Sequence, residues 1–327
     1  MIGVSTSLER WALREPFATA RDSITHVPVV VATLTDADGH RGRGEAAGVD
    51  YDGETPEGIA AQVESVRGAL EDGLTGTSLL GLLPAGGARN ALDCALWDLR
   101  AKQSGRPAWR LAGLDPPRPV LTACTIGIAD DATTRRRARA LAGHPLVKLK
   151  VDADRALDIV RIAREELPGT RLVVDANQSW TRARLERLLP ALRDLGVELV
   201  EQPLPRGADA ELDGLEPCIP LAADESCTDR ASLAGLAGRY DFVNLKLDKC
   251  GGLTEALATA DSARRLGLGL MVGNMCGTSL AMAPACLLAQ RCRYVDLDGP
   301  LLQAGDRSPS MRYAGGYVEP PDPGLWG

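Results

Sequence analysis

Lysine is scarce in this chain and concentrated. Of 37 basic residues only five are lysines: Lys102, Lys148, Lys150, Lys246 and Lys249. Arginine, with a pKa above ~12, covers the solvated surface but cannot act as a base, whereas a lysine taken out of water readily exchanges a proton. Four of the five lie in two short apolar stretches, around Val147–Lys150 and Asn244–Lys249. Between them, acidic residues follow at an even pitch. Lys150, Asp175, Glu201, Asp224 and Lys246 are separated by 25, 26, 23 and 22 residues, and each closes an apolar run. One carboxylate after a strand is commonly a helix cap, and one buried lysine commonly snorkels or pairs with an acid. Three carboxylates in series, flanked by lysines, point instead to a reactive site.

Carboxylates brought to one point need a cation between them. Oxygen ligands without His or Cys select a hard ion, and Mg²⁺ keeps open positions for substrate oxygens. Asp175, Glu201 and Asp224 are the expected ligands. Asn177, two residues beyond Asp175, is expected on the same side, orienting a ligand or a lysine. Lys148 and Lys150 share a strand face, so each should disfavour protonation of the other and lower its pKa toward neutrality. Lys246, four strands further on, should face them from the opposite side. Two bases across a carboxylate-bearing carbon suit 1,1-proton transfer: one takes the α-proton, the other returns one on the far face, and the metal stabilises the enolate between.

The elements that must position these groups fall into two textures. Residues 2–13, 27–36 and 42–47 read as strands, with Asp38-Gly39 as a hairpin turn, followed by helices at about 57–70 and 88–103. Asp115-Pro116-Pro117-Arg118-Pro119 is a stiff break. Beyond it, short apolar strands alternate with amphipathic helices: 120–125, 147–151, 172–174, 198–200, 221–223, 242–247, 270–272 and 294–297. That series predicts an α/β fold, a (β/α)7β TIM-like barrel over residues 116–299. Residues 1–115 plus the Gly/Pro-rich tail 300–327 are expected to form an α+β capping domain. A Rossmann sheet is disfavoured because no GxGxxG follows an early strand.

Bulk properties exclude several classes of function. A chain of 327 residues suits two domains or a barrel with an added layer. A net charge of −7 argues against nucleic acid, and Arg135, Arg136, Arg137 and Arg139 read as a solvated helix face. No uncharged run approaches the ~20 apolar residues of a membrane span, and Glu9, Arg10, Arg14 and Glu15 are foreign to a secretory signal. Eight cysteines without a CxxC pair fit reduced thiols in a cytoplasmic protein.

Taken together, Lys148-Leu149-Lys150, Asp175-Ala176-Asn177, Glu201-Gln202-Pro203, Asp224-Glu225-Ser226 and Lys246-Leu247-Asp248-Lys249 with Gly251-Gly252-Leu253-Thr254 resemble the muconate-lactonising-enzyme subgroup of the enolase superfamily. Asn90-Ala91-Leu92-Asp93-Cys94-Ala95-Leu96-Trp97-Asp98 extends the resemblance into the N-terminal part. The mandelate-racemase branch would need a His–Asp pair after later strands, and His26, His40 and His144 all precede the ligands. Asp296-Leu297-Asp298 resembles the Asp-x-Asp with which dipeptide epimerases hold the substrate's N-terminal amine. The resemblance therefore implies a Mg²⁺-dependent dipeptide epimerase, with Lys150 and Lys246 as the bases, Lys148 beside them, and L-Ala-D/L-Glu from cell-wall peptide turnover as leading substrate. An N-acylamino acid racemase or o-succinylbenzoate synthase is the rival. A silent metal-binding scaffold is disfavoured, because both lysines and all three ligands are present. Pro16 to Arg21 resembles a first capping loop, implying that Arg21 meets a glutamate side chain. Asp50 to Glu54 would be a second loop, whose acidity suits a cationic or neutral dipeptide better. Met275 and Cys276, after the seventh strand, would line the pocket. Relatives are often homo-oligomers.

Overall fold

The computed structural model describes residues 2–327. The chain begins as an antiparallel sheet of β1 (Gly3–Ala18), β2 (Ser23–Thr35) and β3 (Arg41–Ala46). β1 and β2 pair from Gly3↔Thr35 to Ala12↔His26, and the register shifts before Phe17↔Ile24. Such a shift bends a strand. Here the residues beyond it lie over the site described below.

Helices α1 (Pro56–Ser65), α2 (Arg67–Glu71), α3 (Gly76–Leu82), α4 (Gly87–Ser104) and α5 (Ala108–Leu111) follow. The single helix expected at 57–70 is broken at Val66, and α3, capped by Thr75 Oγ1 on Ser78 N, was not anticipated. Leu92, Ala95, Leu96 and Leu99 of α4 are buried against Val30, Ala32 and Leu34 of β2. The contact with β3 is tighter still. A Cβ at Gly44 would sit 2.1 Å from Ala91 O, and one at Gly42 2.2 Å from Ala95 O. Only glycine lets helix and strand backbones approach this closely.

Next come β4 (Val120–Leu121) and eight parallel strands: β5 (Cys124–Ile126), β6 (Leu146–Lys150), β7 (Arg171–Asp175), β8 (Val197–Glu201), β9 (Leu221–Ala223), β10 (Phe242–Leu245), β11 (Gly269–Val272) and β12 (Tyr294–Val295). They lie in sequential order, and Ala123 N donates to Val295 O at 2.7 Å to join the two ends of the sheet. The expected first barrel strand, 120–125, is in fact two. Val120 and Leu121 pair with β14 (Tyr317–Val318), which itself pairs with β13 (Tyr313–Ala314). The tail also returns to the N-terminal part, where Ala304 N donates to Ala12 O of β1 and Gly327 N to Asp98 of α4.

Strand alternation divides the barrel side chains into two sets. Val147, Leu149, Leu172, Val174, Val243 and Leu245 point outward, toward α6 (Asp131–Ala140), α7 (Ala156–Glu166), α8 (Arg182–Asp194), α9 (Leu233–Leu236), α10 (Leu247–Cys250), α11 (Leu253–Arg265), α12 (Ser279–Ala289) and α13 (Gly299–Leu302). Ala123, Leu146, Val173, Leu199, Ala222, Met271 and Tyr294 form a separate apolar plug at the amino ends of the strands. Above that plug the inward positions turn polar. Among the described residues, no helix is long and apolar enough to cross a membrane.

The β3–α4 contact predicts a clear contrast between two glycines. Gly44→Ala should lower the unfolding free energy by about 2–3 kcal/mol through overpacking. Gly68→Ala in α2, where an added Cβ meets nothing within 4 Å, should raise it by about 0.5–1 kcal/mol. Urea titrations of the two variants check this.

Candidate active site

The inward residue at or just past the carboxyl end of each barrel strand contributes to one cluster, as strand ends do in this architecture. Asp175, Glu201 and Asp224 are fully buried, and one carboxylate oxygen from each lies within 4.8 Å of the others. Lys150 Nζ sits 2.6 Å from Asp175 Oδ2, and Lys246 Nζ 2.7 Å from Asp224 Oδ2. Lys148 lies deeper, with its Nζ 3.1 Å from Asp175, 2.8 Å from Glu201 and 2.8 Å from Asp296. Lys249, in the first turn after β10, reaches back to Asp224 Oδ1 at 2.6 Å and to Asn244 O at 3.0 Å.

Among the protein's own charges, these contacts move Lys148 opposite to the depression expected from its strand neighbour. Burial does oppose the lysine charge. For Lys148 the carboxylates of Asp296, Glu201 and Asp175 outweigh it, and the pKa moves well above the usual lysine range. Lys246 moves up too, burial being exceeded by the Asp224 carboxylate. The acids respond in kind. Burial would raise Asp175, but Lys150 and Lys148 hold it low, as Lys246 and Lys249 do for Asp224. Glu201 goes the other way, up to about 7, because burial and the Asp175 charge disfavour its anion.

A hard cation fits this donor set. Glu201 Oε1 accepts from Asn244 Nδ2 at 2.8 Å. Its Oε2 is ion-paired with Lys148 Nζ at 2.8 Å but makes no hydrogen bond among the described residues, which leaves this buried oxygen capacity to accept a cation as well. Asp36, Asp38 and His40 also lie close together, but the Asp36 carboxylate there accepts the N–H groups of its own hairpin turn.

Asn177 does not continue β7 as expected. Its φ of 43° is left-handed, and it is the backbone N–H, not the side chain, that holds Asp175 Oδ1 at 2.9 Å. Its Nδ2 points to Glu225 Oε1 at 3.4 Å. Asp296 and Asp298 both face inward, on different partners. Asp296 pairs with Lys148, while Asp298 Oδ2 accepts from Thr125 N at 2.6 Å. Burial and the Asp296 charge raise Asp298 to about 7.

A cavity of about 270 Å³ opens over the cluster. Lys150, Asn177 and Lys246 form its floor, and Asn274, Met275 and Cys276 one wall. Phe17, Arg21, Ile24 and Asp50 come from the N-terminal sheet and the turn after it. Arg21 is thus at the mouth, ion-paired to the buried carboxylate of Glu225 and 4.7 Å from the centre of the Tyr51 ring. The acidity of the Asp50–Glu54 turn does not face the cavity as a block. Asp52 is held by Arg206 at 2.5 Å, and Glu54 accepts from Val49 N and Gly87 N, at the start of α4. Tyr51 and Glu225 have no periodic signal. Asn244 has one, two residues before Lys246 on the same strand face, and Lys249 is marked by the scarcity of lysine.

Comparison with known proteins agrees with this architecture. Residues 1–113 match the model for the mandelate racemase / muconate lactonizing enzyme N-terminal domain, and residues 130–325 the enolase C-terminal domain-like model. The chain belongs to the enolase superfamily. It is 43% identical over 312 residues to an L-Ala-D/L-Glu epimerase of Escherichia coli strain K12, covering 95% of this chain and 97% of that one. It is 45% identical over 253 residues to an N-acetyl-D-glutamate racemase of a Pseudoalteromonas species, covering 77% and 79%. A solved enolase family member from Agrobacterium tumefaciens, described as having homology to dipeptide epimerases and holding sodium and L-Ala-L-Glu, superposes with a TM-score of 0.97 at 43% identity over the whole of both chains. Within the superfamily the chain falls in the dipeptide epimerase group.

The raised Asp298 carries a pH signature. Its folded pKa of about 7 exceeds an unfolded value of about 3.9, so the folded state holds the proton more tightly and wild-type stability falls as pH rises from about 4 to 7. Asp298→Asn removes that ionisation. The variant should gain stability relative to wild type at pH 8 and lose that advantage by pH 4, as read by chemical denaturation at both pH values without metal.

Proposed function

We propose that this chain is an isomerase that epimerises dipeptides at the α-carbon of the C-terminal residue, most readily L-Ala-D/L-Glu. The observation that carries the reading is that Lys150 and Lys246, from strands on different sides of the barrel, both line one cavity and are ion-paired to Asp175 and Asp224 of the buried carboxylate cluster beneath it. One lysine, as the free amine, takes the α-proton, and the C–H electron pair moves into the carboxylate to give an enolate. The other, as ammonium, donates a proton to the opposite face of the same carbon. One proton leaves and one enters, so only configuration changes.

Asp175, Glu201 and Asp224 would hold Mg²⁺. Bound there, the ion would supply counter-charge that otherwise comes from the lysines, lowering their pKa, and would stabilise negative charge on the substrate carboxylate. Lys148 keeps the floor of the cluster electrically balanced, and Lys249 fixes the Asp224 carboxylate. Asp298 would meet the substrate's ammonium group, with Asp296 behind it already committed to Lys148. Arg21, on the far side of the cavity, is suited to an acidic side chain, and Met275 and Cys276 would complete the wall. Of the eight free thiols one is exposed, which supports a reducing cytoplasm; a role in recycling cell-wall peptides rests on the L-Ala-D/L-Glu reading alone.

The likeness to an N-acetyl-D-glutamate racemase favours one second reading, racemisation of N-acyl glutamate. An N-acyl group carries no charge to offset Asp298, which separates the two. In deuterated water with Mg²⁺, a screen of dipeptides and N-acylated amino acids by mass shift should show α-deuteration of L-Ala-Glu at least tenfold faster than of N-acetylglutamate, and none after chelation. The reverse order would make the protein an N-acylamino acid racemase. No exchange in any carboxylate substrate would leave only a metal-binding scaffold.

A further inference from the structure

Arg21 is only half the device at the mouth of the cavity. Its guanidinium donates from one terminal nitrogen to Glu225, whose side chain is 1% exposed. No other side-chain hydrogen bond engages it among the described residues. The remaining N–H groups therefore stay free beside the cavity that Arg21 lines. Beside the Glu225 ion pair, a second contact holds this partly exposed side chain, an aromatic face. The Tyr51 ring lies 4.7 Å from the guanidinium carbon, within the range of a cation–π contact. The Tyr51 hydroxyl is buried and has no hydrogen-bond partner among the described residues, so none of them holds the ring by its polar end. It is held by its turn. Asp50–Asp52 forms a single 3-10 turn closed by Gly53 in the left-handed region, and Asp52 is gripped at both carboxylate oxygens by Arg206, at 2.5 and 3.0 Å, across from the barrel.

Resting on the epimerase reading, we propose that Tyr51 is a positioning residue for side-chain specificity. Its face, pinned by the Asp52–Arg206 pair, presses the Arg21 guanidinium against Glu225 so that the unpaired N–H groups point at a substrate's acidic side chain. Glu225 takes one donor and cancels the charge of an empty mouth. A substrate carboxylate takes the free donors. Tyr51 touches no reacting atom, and its effect falls on the preference for acidic over neutral side chains, not on proton transfer.

The test compares L-Ala-L-Glu with L-Ala-L-Met, in the presence of Mg²⁺, by calorimetric binding and by α-deuterium exchange. The wild type should bind the acidic dipeptide more tightly. Tyr51→Phe, which keeps the ring face, should hold the affinity ratio within about twofold, whereas Tyr51→Leu should reduce it by about five- to tenfold, the size of a partly desolvated cation–π contact. The loss should appear in KM for the acidic dipeptide, with kcat for the neutral one unchanged. Arg206→Gln, a surface change that unpins the turn without touching Tyr51, should reduce the ratio by about two- to threefold and covers the case in which Tyr51→Leu does not fold. An unchanged ratio in the variants, or a fall in Tyr51→Phe equal to that in Tyr51→Leu, overturns the proposal, as does a wild type with no acidic preference. A wild type that binds with acidic preference but exchanges no α-proton overturns the epimerase reading and leaves this inference standing.

Discussion

Like charges forced together in a place without water are the constraint on which the rest of the molecule depends. Neighbouring parallel strands run about 4.8 Å apart, so acids at matched positions on β7, β8 and β9 must meet. Asp175, Glu201 and Asp224 have almost no exposure to water. Their repulsion would keep the barrel mouth open unless cations were built in beside them. Four lysines supply that charge, each within 3.1 Å of an acid. Removing one partner of a buried pair leaves the other uncompensated, typically at about 3–5 kcal/mol. The lysines that line the cavity, Lys150 and Lys246, are thus also counter-charges for the buried acids.

The N-terminal sheet and its helices complete the mouth, and they are docked by polar ties at fixed points. Glu45, fully buried, accepts from Thr278 N at 2.7 Å and pairs with Arg307 at 2.6 Å. Asp248, directly after the Lys246 strand end, accepts from Gly48 N at 2.9 Å. Asp93 accepts from both the backbone and the hydroxyl of Thr254. A buried acid facing a backbone N–H fixes position more sharply than an apolar contact, because a misplaced donor leaves both groups unsatisfied. Those ties hold the β1–β2 turn and the Asp50–Asp52 turn over the lysines, where Arg21 and Tyr51 lie.

The parts of this arrangement legible in the sequence are those with a period. Strand ends one βα unit apart carried the three clustered carboxylates and the lysines beside them, and alternation carried Lys148 and Lys150 to one face. What was not legible depends on partners distant in sequence. Val120–Thr125 reads as one apolar strand, and only pairing with Tyr317–Val318 splits it. The acidic turn seemed to oppose an anionic substrate because its partners, Arg206 and Gly87, have no local spacing to betray them. Lys148 departs from its expected depression for the same reason: on its own strand it sees Lys150, whereas in the barrel it sees the carboxylates of Asp296, Glu201 and Asp175. Asn177 departed from expectation because β7 ends at Asp175 and the backbone turns left-handed.

In the proposed reaction Lys150 and Lys246 serve opposite faces of one α-carbon. That division of labour can be read from α-deuterium incorporation into L-Ala-L-Glu and L-Ala-D-Glu, followed separately, with Lys150→Ala and Lys246→Ala proteins and Mg²⁺. Each variant should lose epimerisation by at least about a hundredfold, yet still wash deuterium into one diastereomer, and the two variants should choose opposite ones. Exchange of the same diastereomer by both variants, or of both diastereomers by either, would contradict the two-base account.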